Sequence, residues 1–173
     1  MGEIKTYGNI PVSNNMVKED MTEYQSPKDK ISQFAKEDKL IRLKRGLYSV
    51  SPGITGKYLS KELIANHLYG PSYLSFESAL SWHGLIPERV YVTKSATLKR
   101  RKTYQTKVGQ FEYIHVPEEY YPIGLQQTIV ENVYAFVIAS PEKALCDLIL
   151  NTKGLRLQSL KSVREYLFED LRM

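Results

Sequence analysis

The chain has 173 residues, 42% of them hydrophobic and 25% charged, enough for one ordinary globular domain or two small ones with a real core. Its single cysteine, Cys146, excludes an intramolecular disulfide. The first residues lack an apolar run of signal-peptide length, and no window approaches the ~18 apolar residues of a membrane helix, so a cytoplasmic location is expected.

Net charge is +5. It sits in two blocks. Residues 26–45 hold seven Lys/Arg against three acids, and residues 89–107 hold seven Lys/Arg with no acid. The three remaining stretches are each net negative. Concentrated positive charge raises the local potential and attracts phosphates.

In chain order, Val12 to Tyr24 is expected to supply a supporting helix, on a weak pattern. Ser26-Pro27-Lys28-Asp29 reads as a helix start, with Ser26 as cap, Pro27 in the first turn and Asp29 completing a capping box. Ile31, Phe34 and Ala35 then fall at i, i+3 and i+4, so one face is buried. The other face carries Lys28, Lys30, Gln33 and Lys36. Leu40 to Val50 reads as strand, basic turn and strand, with Arg42, Lys44 and Arg45 in or near the turn and Gly46 supplying a positive φ. A basic-faced helix followed by a basic hairpin is the end of a winged helix-turn-helix. Ser51-Pro52-Gly53 breaks the chain, so the predicted domains are 1–52, a winged helix-turn-helix, and 53–173.

The second domain is expected to be α+β with a mostly antiparallel sheet. Leu59, Leu63, Ile64, His67 and Leu68 make an amphipathic helix stopped by Gly70-Pro71. Phe76, Ala79, Leu80 and His83 make another, stopped by Gly84. Strands are expected at 90–93, at 111–116, and on both sides of a Glu131-Asn132 turn from about residue 128 to 138. Ser140-Pro141-Glu142 starts a helix through Leu150, and a last helix carries Leu160, Val163 and Leu167. The chain ends on Leu171-Arg172-Met173 without a helix-stop signal, which reads as a domain cut short.

Three stretches resemble the AbiEi-type antitoxins and transcriptional regulators of type IV toxin–antitoxin (abortive infection) systems. They are Leu40-Ile41-Arg42-Leu43-Lys44-Arg45-Gly46-Leu47-Tyr48, Tyr73-Leu74-Ser75-Phe76-Glu77-Ser78-Ala79-Leu80-Ser81-Trp82-His83-Gly84-Leu85-Ile86-Pro87, and Ile138-Ala139-Ser140-Pro141-Glu142-Lys143-Ala144-Leu145-Cys146-Asp147. The last two are the more specific. The resemblance covers most of the chain from about Ser26. It implies a winged-helix domain joined to an antitoxin domain, repression of the protein's own operon, and neutralisation of a nucleotidyltransferase-like toxin.

The expected partners are therefore double-stranded promoter DNA and that toxin, with no membrane. The expected DNA-binding residues are Lys28, Lys30, Gln33, Lys36, Arg42, Lys44 and Arg45. Gln33 suits adenine, the helix lysines suit guanine or phosphate, and the wing cations suit phosphate or the minor groove. A second nucleic-acid or partner site is expected at Lys99, Arg100, Arg101 and Lys102, in a loop or strand edge. Catalysis, a cofactor and a metal are not expected. One cysteine and three scattered histidines offer no ligand spacing. His67, His83 and His115 read as packed, hydrogen-bonded side chains and Cys146 as a small buried one. Tyr104, Tyr120 and Tyr121 read as loop residues able to stack on bases or fill an interface. The rival readings are a metal-dependent nuclease built on Glu142-Lys143 or Glu37-Asp38-Lys39, and a protein-interaction module without DNA binding.

Overall fold

The computed structural model describes residues 2–173, with side chains from Ile4 onward. The first elements are α1 (Gly2–Lys5), β1 (Val12–Ser13), α2 (Asn14–Glu19), α3 (Pro27–Lys36), β2 (Leu40–Lys44) and β3 (Leu47–Val50). The three strands form an antiparallel sheet in the order β1-β3-β2. The expected supporting helix is thus shorter: Val12 pairs with Tyr48 in the sheet, and Ser13 caps α2 by accepting from the Met16 amide. Met21, beyond α2, is still buried.

Helix α3 spans the predicted segment, with Pro27 in its first turn and Ile31 and Phe34 buried. Its start differs in one respect. The Ser26 hydroxyl donates to the Asp29 carboxylate at 2.6 Å and makes no cap bond to a backbone amide. A charged acceptor nearby outcompetes the capping geometry.

The hairpin β2–β3 buries both faces. Leu40 and Val50 pack with Ile4, Val12, Val17, Met21, Ile31 and Phe34. Leu43 and Leu47 point the other way, into a cluster with Ile64, Ala65, Leu68, Phe111 and Tyr113. A register shift between Arg42 and Lys44 inserts an extra residue and turns the strand end toward that second cluster. Residues on both sides of Ser51-Pro52-Gly53 therefore share one core.

Gly46 has φ +80, as a tight reversal requires, and open space where a Cβ would lie. Gly46→Val should therefore cost only the backbone strain of a left-handed residue, about 1–2 kcal/mol, more for a β-branched side chain than for Ala. In a chain of this length that is a fall of a few degrees in melting temperature. An unchanged melt would mean that the turn can rearrange to negative φ.

The rest of the chain is α+β. It runs α4 (Pro52–Thr55), α5 (Lys61–Leu68), β4 (Ser72–Leu74), α6 (Phe76–Trp82), β5 (Val92–Thr97), β6 (Lys102–Gln105), β7 (Gln110–His115), β8 (Leu125–Val130), β9 (Tyr134–Ala139), α7 (Pro141–Asn151) and α8 (Leu160–Glu165), closing in a π turn over Tyr166–Asp170. The six strands β4–β9 form one mixed sheet in the order β6-β7-β5-β4-β9-β8. Pairs β6–β7, β5–β4 and β9–β8 are antiparallel, while β7–β5 and β4–β9 are parallel. Strands β4 and β6 have no counterpart among the predicted elements. One is three residues long and the other begins inside a basic run, so neither shows a readable alternation. The Glu131-Asn132 turn is as expected, with φ of 52° and 54°.

Candidate nucleic-acid interface

Helix α3 turns Ile31 and Phe34 inward, which by its 3.6-residue period leaves Lys28, Ser32, Gln33 and Lys36 exposed. Lys28 and Lys36 have no acidic partner among the described residues. Lys30 is half-buried, its ammonium 4.9 Å from the Phe34 ring centroid and 5.1 Å from that of Tyr24. It donates to Gln33 Oε1 at 3.2 Å, and Gln33 Nε2 donates to Glu37 at 2.7 Å. Lys39 and Gln33 hold the Glu37 carboxyl below its ordinary range. Gln33 is thus not the free amide that the sequence suggests; each end is engaged once, which leaves one N–H and one lone pair for a base edge.

Arg42 and Arg45 are exposed on the hairpin. Lys44, placed with them by sequence, lies elsewhere. Its ammonium donates to the Leu68 carbonyl at 2.5 Å, at the C-terminal end of α5. Burial pushes it down, with Lys99 and Lys102 adding to the effect. The last carbonyls of a helix lack intrahelical partners and carry the negative end of its dipole, which is why a lysine is drawn there.

The second basic run reaches the same place. Lys99 donates to the Gly70 carbonyl, and its ammonium sits 5.2 Å from the Tyr69 ring centroid. Lys102 lies 5.4 Å from Tyr69 and 4.9 Å from Tyr104. Arg101 pairs with Glu112, while Arg100 is exposed and has no such partner among the described residues. The two basic blocks, far apart in sequence, therefore meet around the end of α5, with Lys99 and Lys102 over a tyrosine cluster and Lys44 beside them. Tyr69 stacks edge-on against Tyr113 at 5.2 Å, and Tyr104 at 5.9 Å. The sequence reading missed Tyr69; its only signal was a tyrosine at a helix end beside Gly70-Pro71.

Several other side chains lie where the sequence did not place them. Tyr104 is a strand residue within that cluster. Tyr121 stacks on Tyr73 at 5.0 Å, and Tyr120 covers the Lys143 ammonium with its ring, 2.9 Å from the centroid. These rings are spent on intramolecular packing and are poor stacking platforms for bases. Cys146 is exposed rather than buried, because α7 turns Lys143, Ala144, Asp147 and Leu148 inward and Cys146 falls between those rows. His67 and His115 are exposed; His67 Nδ1 lies 2.9 Å from the Leu63 carbonyl. His83 alone matches the packed expectation, with Nε2 at 2.9 Å from the Ala139 carbonyl.

The acid–lysine pairs that would suit a nuclease do not converge. Glu142 faces solvent on the first turn of α7, held by Ser140, while Lys143 turns inward. Glu37 pairs with Lys39, and Asp38 with Lys107, both at the surface. Among the described residues no group of three acids, histidines or cysteines could hold a metal, and no helix is long and apolar enough to cross a membrane.

The inward side of α7 builds a buried polar centre. Asp147 is 0% exposed and accepts from Ser75 at 2.5 Å and from Tyr73 at 3.0 Å; the Lys143 ammonium lies 3.3 Å away. Burial pushes Lys143 down and the Asp147 carboxylate pulls it back only in part. Burial, with Asp147 beside it, pushes the Tyr73 phenol up. Enclosed on all sides, this group stitches α7 to the β4–α6 corner. No family model matches the chain, and no curated protein matches it.

Proposed function

We propose that this protein is a DNA-binding transcriptional repressor of the antitoxin kind, with residues 1–52 acting as a winged helix-turn-helix and the larger α+β part carrying contacts to a nucleotidyltransferase-like toxin, without catalysis of its own. The observation that carries the reading is the presentation of α3. Two short helices and a three-stranded sheet hold it so that Lys28 and Lys36 face outward, with Arg42 and Arg45 on the adjoining hairpin. A helix so displayed can enter a major groove while the hairpin cations hold the flanking phosphates.

Titration of the protein with its own promoter DNA at several salt concentrations tests this. Log affinity should fall linearly with log salt by about 0.9 for each phosphate neutralised. Lys28→Ala and Lys36→Ala should each weaken binding and reduce that slope by about one. Equal, weak binding to promoter and unrelated DNA would remove specific repression. Co-expression with a nucleotidyltransferase-like toxin tests the other half: growth should be restored by the parent protein.

The basic run of the second part bears on the same reading. Replacing Lys99, Arg100, Arg101 and Lys102 together with serine should lower the melting temperature by several degrees, since Lys99, Arg101 and Lys102 each lose a surface contact worth up to ~1 kcal/mol. If the run extends the DNA footprint, the variant binds promoter DNA with a shallower salt slope. If it contacts the toxin, DNA binding survives and growth rescue fails. A variant that does both like the parent shows that the run serves the fold and no partner.

A further inference from the structure

A cavity of about 370 Å³ opens between the start of α5, helix α6 and the loop leading into β5. Its walls include Lys61, Arg89, Ser81, Thr93 and the indole of Trp82. Neither Lys61 nor Arg89 has an acidic partner among the described residues; Arg89 only approaches the Tyr91 ring, at 5.7 Å. The hydroxyls of Ser81 and Thr93 make no hydrogen bond among those residues, although Thr93 is only 8% exposed. The one carboxylate on the wall, Glu62, is engaged by the Ser60 hydroxyl at 2.7 Å. Trp82 packs edge-on against Phe136 at 5.1 Å, yet is 42% exposed. The cavity thus joins two cations without ion-pair partners and two spare hydroxyls to an accessible aromatic wall, against the one negative charge of Glu62. That combination suits a ligand with an anionic end and a flat ring, and the volume lies in the range of small-molecule sites.

We propose that this cavity binds a mononucleotide, with Lys61 and Arg89 holding the phosphate and Trp82 packing against the base. The assignment is independent of DNA binding by α3 and uses none of its residues. Trp82 is the chain's only tryptophan, so its fluorescence reports on this cavity alone.

The test titrates the full chain with AMP, adenosine and inorganic phosphate, reading Trp82 emission and, in parallel, retention of labelled AMP by equilibrium dialysis. AMP should bind saturably and alter the emission. Adenosine and phosphate, each lacking half of the recognition, should bind on the order of tenfold or more weakly. Lys61→Met and Arg89→Met, both at exposed positions and checked by melting temperature, should each weaken AMP about tenfold. No retention of AMP at millimolar concentration overturns the proposal. So does equal binding of AMP and phosphate, or AMP binding unchanged in both variants.

Discussion

Asp147→Asn should be among the most damaging single substitutions in this chain, and its damage should shrink as pH rises. The amide keeps an oxygen for the Tyr73 and Ser75 hydroxyls, so the change removes little but the charge. Lys143, 4% exposed, is then left buried without its counter-ion. Breaking one side of a buried pair costs about 3–5 kcal/mol, against roughly 0–1 kcal/mol for an exposed one. The sign with pH follows from Lys143. Its folded-state value already lies below that of the free side chain because of burial, and loss of Asp147 lowers it further. The folded chain then binds the ammonium proton less tightly than the unfolded chain does. That penalty is complete below the folded value and vanishes as pH climbs to about 10.4, the value in the unfolded chain. Denaturant midpoints at pH 7 and pH 9.5 should show the deficit of the variant narrowing. A deficit of equal size at both would show that Lys143 escapes to water when Asp147 is neutral. Lys143→Met combined with Asp147→Leu should be less damaging than the sum of the two single changes, because no lone charge remains.

Gly124→Ala should be the more costly of two glycine substitutions that look alike in sequence. Gly46 and Gly124 both hold a left-handed backbone, with φ of +80 and +67. Either alanine incurs about 1–2 kcal/mol of strain. At Gly46 the new methyl meets nothing within 4 Å. At Gly124 it would lie 2.9 Å from Lys143 Cβ and 3.4 Å from Ser140 Oγ, at the start of α7. The lysine is anchored by Asp147 and Tyr120 and cannot retreat without opening the buried pair, and the serine hydroxyl caps α7. Overpacking adds about 1–3 kcal/mol, for a total of roughly 2–5 kcal/mol. Parallel denaturant melts of Gly46→Ala and Gly124→Ala check this. Equal midpoints would mean that the 117–124 loop shifts away from α7 at no cost.

Both effects depend on contacts that no local pattern announces, and this marks the boundary between what the sequence carries and what it does not. The α3 helix, the β2–β3 hairpin, the α5 and α6 helices, the turn at Glu131-Asn132 and the start of α7 are all legible in the chain. Each is specified by neighbours within four or five residues: a proline at a first turn, an apolar face at i, i+3 and i+4, a glycine or asparagine able to take positive φ. The basic character of α3 and of the hairpin is legible for the same reason, since charges are read directly.

Where each charge points was decided by the tertiary structure. Lys44 sits in a run with Arg42 and Arg45, and nothing in that run separates it from them. A register shift in β2 and the carbonyls without intrahelical partners at the end of α5, twenty-four residues away, draw it off the hairpin and set it beside Lys99 and Lys102. Lys143 follows Glu142 in sequence, yet one faces water and the other a buried aspartate, because successive helix positions diverge by about 100°. Phe76 takes φ +55 right after Ser75, whose hydroxyl is bonded to Asp147; a bulky residue holds that conformation only when its surroundings require it. Hydrophobic periodicity is a one-dimensional signal that tells which side of an element is buried. It does not say against what, so partners brought together by sheet order and helix docking remain invisible until the chain is folded.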